Sequence, residues 1–508
     1  MPGVGKRQDA ASTACGPYTV TRMLEETSAC AYNDGPNERM SLVLRNPSLD
    51  IDCPQTAHLV GIGGAGMRSL ARALLQKGWR LSGSDSATNG DDSLAKAGVR
   101  VFTGHAAENV CADVDAVIFS SAIPSDNPEL RRAAELGIPT LSYAEMLGRL
   151  MRGRRGLAVA GTHGKSTTTA MAAEILMAAD CDPTFVYGAS PCGGDEGGRA
   201  GNGPAVLVEA CEYRRNFLHL QPHDAVILNI EADHFDCYPT RDTLDDAFRR
   251  FAELLPPDGT LIVPWEDDGA VASSCRIATF GFSEQADWRA ASVRSVHGRY
   301  SFDLTHKASC LGRIELAVFG RHNVLNALAA AALTAAADCP AEAIIAGLAR
   351  FRGLRRRLER IYDAEGIAIW NDYAHHPTEI STTLATIREI SPKSRVLCLF
   401  QPHQALRTAR LLDELALALQ NAERVMIADI FRAREAPPQP GEITSADLAR
   451  RTRALGQDVF GSHALPDIQH YLQTHMAPGD VLVVMGAGDI GRIGYDLVDW
   501  FRECRAAG

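Results

Sequence analysis

The sequence predicts an α/β fold in three domains built on parallel sheets, and three observations predict it. Short apolar runs alternate with helical patterns from His58 onward, the glycine-rich and polar motifs fall just after those runs, and 508 residues exceed what one core holds at the usual ~100–200 residues per domain. Open parallel sheets bind ligands beyond the carboxyl ends of their strands, so the placement of the motifs and the fold class support each other.

Residues 1–54 show no sustained periodicity and are rich in Pro, Asn, Asp and Ser around Asn33–Asn37 and Asn46–Pro54, which predicts a loose extension. Strand-then-helix pairs follow at His58–Ile62 with Met67–Gln76, Ala116–Phe119 with Glu129–Leu136, and Leu157–Ala160 with Thr167–Met177. Further strands are expected at Ala205–Val208, Ala225–Asn229, Leu261–Val263, Ile367–Trp370, Val396–Phe400, Val425–Ala428 and Val481–Met485. The basic, Gly-containing link Arg152–Gly156 and the arginine cluster Gly353–Arg357 mark joints, giving domains at 55–152, 153–350 and 351–508.

Composition excludes several classes. With 62 acidic against 51 basic residues, a formal charge of -11 offers no general attraction to nucleic acid. The first residues lack the apolar core of a signal peptide, and the alanine-rich tract Ala327–Ala337 falls short of the ~18–20 apolar residues that span a bilayer. No membrane is expected as a partner. Thirteen cysteines occur singly, without a CxxC pair, so neither a zinc ribbon nor a disulfide framework is indicated and a cytoplasmic location fits.

Gly61-Ile62-Gly63-Gly64-Ala65-Gly66 follows a strand, with Asp85 about 20 residues on. Alone this suggests a dinucleotide, but glycines admit any pyrophosphate at a helix N-terminus and an acidic side chain accepts from any ribose; tight packing also explains the pattern. Gly161-Thr162-His163-Gly164-Lys165-Ser166 reads as a shortened phosphate loop, since the strict pattern needs glycine where Val159 stands. Its backbone would cradle phosphates, Lys165 reach the terminal ones and Ser166 ligate Mg²⁺; the bland alternative is a glycine turn with an exposed lysine.

Two later strand ends carry Glu209-Ala210-Cys211-Glu212 and Glu231-Ala232-Asp233-His234. Mg²⁺ favours oxygen ligands, which makes Glu209 a candidate, and His234 is either a ligand or a structural histidine. Gly320–Asn326 reads as a helix start, and Arg355–Arg357 as a solvated run or a clamp on a phosphoryl group. Asp372–Pro377 and Phe400–His403 end strands with polar residues. Gly486–Gly491 repeats the first glycine pattern and is not read as a second cofactor site.

In order, the segments HLVGIGGAGM, SGSD, SSAIP, GTHGKSTTT, FLHLQP, NIEADHFD, GRHNVLNALAA, Phe351–Glu359, DYAHHPTEI, FQPH with Arg407–Thr408, and MGAGDIG resemble the Mur ligase family, most closely its alanine-adding branch, from about residue 57 to 492. The resemblance implies a Rossmann-like first domain that binds UDP-N-acetylmuramate rather than NAD through Gly63, Gly64, Ala65, Gly66, Met67, Ser84, Asp85, Ser120 and Ser121. It implies a central P-loop ATPase-type domain holding ATP through Gly161, Thr162, His163, Gly164, Lys165, Ser166 and Thr167, with Ser166, Glu209 and His234 around Mg²⁺. His322, Asn323 and Asp372 would meet the adenosine part and Arg356 the phosphates. In the Rossmann-like third domain His376, Gln404 and Arg407 would meet L-alanine. Lys165, Glu209, His234, Arg356 and His376 form the implied catalytic set. The reaction is ATP-dependent amide formation through an acyl phosphate, a step of peptidoglycan biosynthesis.

The chain departs from the family pattern in three places: Cys211 replaces an aspartate, no lysine lies between Tyr238 and Leu254, and Gln404 stands where an arginine is usual. Arg432 and Arg434, just after the strand Val425–Ala428, are expected to restore the lost charge, one or the other. Three rivals make specific demands. A nicotinamide oxidoreductase leaves the Lys165 loop unused, a non-enzymatic nucleotide-regulated protein does not need Lys165, Glu209 and His234 intact, and a tripeptide-attaching ligase is disfavoured by FQPH and DYAHHPTEI.

Overall fold

In the computed structural model, residues 51–86, 93–194, 197–267 and 274–507 are described. Three sheets form in chain order. The first contains β1 (Thr56–Val60), β2 (Arg80–Asp85), β3 (Arg100–Thr103), β4 (Ala116–Phe119) and β5 (Thr140–Ser142), all parallel, in the order β3-β2-β1-β4-β5. The order reverses between β1 and β4, and that switch point opens a crevice at the strands' carboxyl ends, where Gly61–Gly66 lies.

The second sheet contains β6 (Arg155–Ala160), β7 (Thr184–Val186), β8 (Gly198–Arg199), β9 (Ala205–Glu209), β10 (Asp224–Ile227), β11 (Thr260–Pro264), β12 (Arg276–Gly281), β13 (Trp288–Val296), β14 (Arg299–His306) and β15 (Ser309–Phe319). Its order is β15-β14-β13-β12-β11-β10-β6-β9-β7-β8. Strand β6 sits between β10 and β9, and its Leu157–Ala160 run is fully buried, as expected for a parallel strand covered on both faces. The third sheet, β16 (Glu359–Ala364), β17 (Ile367–Asp372), β18 (Arg395–Phe400), β19 (Arg424–Ala428), β20 (Val459–His463) and β21 (Asp480–Met485), runs β16-β17-β21-β18-β19-β20, with only β16 antiparallel.

Two expectations need correction. The antiparallel meander β13–β15 occupies a stretch with no anticipated strands; its members carry exposed charges on one face and so lack the continuous apolar runs of the parallel strands. Most of the expected N-terminal extension lies outside the described residues. Its last few belong to the fold, however: Ile51 is buried in the first core, and Asp52 pairs with Lys77 at 2.9 Å and Arg154 at 2.7 Å. Among the described residues no helix is long and apolar enough to cross a membrane.

Candidate functional site

The loop after β6 is shaped by glycine. Gly164 caps the helix Lys165–Ala178 with φ +83°, and a Cβ there would stand 2.7 Å from the Asn326 Oδ1. The chain thereby turns its N–H groups toward the space above the helix N-terminus, an anion-binding geometry. Lys165 Nζ donates to the carbonyls of Gly161 (2.6 Å) and Thr162 (3.0 Å) and lies 2.9 Å from the Glu212 carboxylate. The Ser166 hydroxyl reaches both Glu209 oxygens at 3.0 Å, and Glu209 also accepts the Gly188 N–H at 2.8 Å. His234, at φ +51°, places Nε2 3.3 Å from Glu212.

Glu212 is therefore the hub between Lys165 and His234, whereas the sequence reading singled out only Glu209 of this segment, as a metal ligand. Burial opposes its ionisation, but Lys165 and His234 hold its carboxyl below the usual range. Beside it the Cys211 thiol is pushed up to about 12, mainly by burial, so this departure from the family pattern puts a neutral group among the charges.

A second cluster joins the central and third domains. His163 Nδ1 meets Glu379 at 3.0 Å, its Nε2 meets Glu231 at 3.5 Å, and its ring packs 4.6 Å from that of His376. Burial disfavours the imidazolium, but the two carboxylates outweigh it and lift His163 to about 9. His376 is 5% exposed and caps the helix Pro377–Ile390, accepting the Thr378 N–H at Nδ1. Glu379 closes that capping box, a sequence signal that could have marked it.

These groups edge a cavity of about 980 Å³ whose walls include His163, Gly164, Thr167, His322, Asn323, Arg357, Asp372 and Glu379. His322 is forced to about 4 by burial and is neutral there. The Asp372 carboxyl is raised by burial and accepts the Thr383 hydroxyl at 2.6 Å. Of the paired arginines, it is Arg357 that reaches this cavity. Arg356, expected at the phosphates, has φ +56° and donates instead to the Gly486 and Gly488 carbonyls at 2.7 and 2.8 Å.

A smaller pocket of about 250 Å³ is walled by Tyr213, His234, Gln404, Arg407 and Arg434 among others. The structure brings Gln404 and Arg407 together there but leaves His376 out, because its ring is committed to its helix cap and to His163. Arg432 also turns away, held by Glu442 at 2.9 Å and the Ala436 carbonyl at 2.7 Å.

In the first domain, Asp85 accepts the Gly63 N–H at 2.9 Å, and a Cβ on Gly63 would collide with that carboxylate at the same distance. Gly64, Ala65 and Gly66 open the helix Ala65–Gln76, while Ser120 and Ser121 directly follow β4 across the switch point. Two of the expected ligand-binding side chains are engaged elsewhere. Ser84 is fully buried and donates to Glu129 at 2.6 Å, since strand alternation turns it away from Asp85; the Met67 side chain is in the core, leaving only its backbone at the crevice.

A glycine-lined crevice at a switch point, a glycine loop with lysine at a helix N-terminus and a third α/β domain packed beside it form the architecture of an ATPase-type ligase, and the chain belongs to the Mur ligase family. Its residues 56–155 match the model described as Mur ligase family, catalytic domain; 159–334 match the Mur ligase middle domain, and 356–488 the Mur ligase, glutamate ligase domain. The particular relatives are equally consistent. A UDP-N-acetylmuramate–L-alanine ligase of Clostridium novyi is 39% identical over 87% of this chain and 97% of its own, and one from Lachnospira eligens is 39% identical over 89% and 99%. The crystal structure of a UDP-N-acetylmuramate-alanine ligase from Thermotoga maritima superposes with a TM-score of 0.75 at 26% identity, covering 89% of this chain and all of that one. A murein peptide ligase from Psychrobacter arcticus gives 0.68 at 25% identity, covering 88% and 98%.

Proposed function

We propose that this chain joins the carboxylate of UDP-N-acetylmuramate to the amine of L-alanine, driven by ATP, in the cytoplasm. The observation that carries this reading is a chain of contacts: the loop whose His163 and Gly164 wall the large cavity continues into Lys165, which pairs with Glu212, and Glu212 in turn meets His234 on the wall of the small pocket. ATP would fill the first, with its base near His322 and Asn323 and its phosphates on the Gly161–Ser166 loop. The first-domain crevice would hold the uridine nucleotide through Gly63–Gly66 and Asp85.

A carboxylate resists attack by an amine, so one of its oxygens first takes the γ-phosphoryl group and ADP leaves. The amine nitrogen then bonds to the carbonyl carbon, and the tetrahedral adduct expels phosphate. Lys165 and Arg357 would neutralise charge on the transferring group. A magnesium ion would take the oxygens of Ser166 and Glu209, 3.0 Å apart, with His234 engaged by Glu212 at 3.3 Å. When bound, that ion would supply further charge neutralisation on the phosphates.

The test is ADP release with UDP-N-acetylmuramate and each of alanine, glycine, serine and a stem tripeptide. Alanine is expected to give the fastest turnover, and Lys165→Ala to abolish it while the sugar nucleotide still binds. Release confined to the tripeptide would reassign the chain to the peptide-attaching branch, and near-parental release by Lys165→Ala would remove the phosphate-loop assignment.

A further inference from the structure

Three guanidinium groups reach the walls of the 250 Å³ pocket, and their charges are differently engaged. Arg407 is 3% exposed and forms an ion pair with Asp233 at 2.7 Å, so its charge is already balanced. Arg214 donates to the Ser121 carbonyl at 2.9 Å, tying the central domain to the first. Arg214 also lies over the Tyr213 ring, at 5.5 Å, but its fork is engaged by that carbonyl, whereas Arg434 has no hydrogen-bond partner among the described residues. Its guanidinium lies 4.6 Å above the Tyr213 ring and has no carboxylate partner among the described residues.

The nearby acids are occupied. Glu435 accepts the N–H groups of Ala405 and Leu406, at the start of the helix Ala405–Arg410, and Asp236 accepts the Tyr213 hydroxyl at 3.1 Å. Gln404 adds no charge to the wall. A guanidinium packed on an aromatic face, with its fork unoccupied, is pre-organised for a planar carboxylate. His234 also lines the pocket, 5.1 Å from the Tyr213 ring, and it touches Glu212 of the phosphate centre. A small ligand with its carboxylate at Arg434 therefore sits in the pocket that His234 shares with the phosphate centre. The volume is that of about eight waters at ~30 Å³ each, which suits a small amino acid and opposes a peptide.

We propose that Arg434 is the specificity-determining residue that binds the α-carboxylate of the incoming amino acid. The assignment rests on the ligase reading. Steady-state kinetics of the full chain test it with Arg434→Ala, Arg434→Ala combined with Gln404→Arg, and alaninamide as a substrate lacking the carboxylate. Arg434→Ala should raise KM for alanine about 10- to 100-fold, leaving kcat within a few-fold and the KM for ATP and sugar nucleotide unchanged. The parent should favour alanine over alaninamide, and the variant should lose most of that preference. Gln404→Arg should recover part of the lost affinity, a rescue that mere misfolding would not permit. An unchanged KM for alanine, retained discrimination against alaninamide, or a loss that falls on ATP overturns the assignment alone. A parent that releases no ADP with any amino acid overturns the ligase reading, and this assignment with it.

Discussion

His163 carries a proton because two carboxylates from different domains face it, Glu231 from the central one and Glu379 from the third. Glu231 in turn is held at about 2, chiefly by its hydrogen bond to His163. The consequence for stability has a definite sign. A histidine whose pKa rises from 6.5 to about 9 on folding stabilises the folded state fully below pH 6.5, and that contribution is lost as pH rises through about 9. Thermal unfolding of the parent and His163→Gln, compared across pH 6 to about 10, should show the parent's advantage shrinking over that window. An advantage that is constant with pH would mean that His163 is neutral in the folded protein.

At the scale of elements, the helix Lys165–Ala178 is buried almost all round, and the helix Ala341–Arg350 packs on it through Gly347. A Cβ at Gly347 would lie 2.4 Å from the Cα of Ile175, a backbone atom that cannot swing aside. Alanine normally stabilises a helix interior by about 1 kcal/mol over glycine, while overpacking costs about 1–3 kcal/mol. Overpacking should win here. Gly347→Ala is expected to lower the unfolding midpoint by a few degrees in calorimetry, and a raised midpoint would show that the two helices separate without strain. The same packing explains what the sequence reveals about this element: strand, glycine loop and helix announce themselves locally, because the apolar run and the glycines are contiguous. The meander β13–β15 does not, since polar and charged residues such as Arg294, Arg299, Arg313 and Glu315 interrupt its apolar positions. The site was legible to the same extent. Lys165, Ser166, Glu209 and His234 sit in short motifs, whereas Glu212's service to both Lys165 and His234, Arg356's diversion to Gly486 and Gly488, and Ser84's commitment to Glu129 depend on partners distant in the chain.

For the whole molecule the question is what holds the third domain against the second. The contacts of Glu389 with Ser295 and Tyr300 are exposed, and exposed polar pairs contribute about 1 kcal/mol or less. Arg407 and Asp233 are different, with side chains only 4% and 7% exposed and a separation of 2.7 Å. Burial opposes the Asp233 charge, yet His234 and Arg407 keep its carboxyl far below the usual range. Such a pair adds little over an apolar substitute, but removing one partner strands the other charge and costs about 3–5 kcal/mol. Asp233→Asn should therefore loosen the junction strongly, and adding Arg407→Met to it should return much of the stability. Calorimetry of the two variants, with limited proteolysis across residues 351–357, reads both effects. Cleavage and a lowered unfolding midpoint in Asp233→Asn, relieved in the double variant, are the expected outcome. A double variant weaker than the single one would mean that Arg407 holds the domains together through its packing rather than through charge.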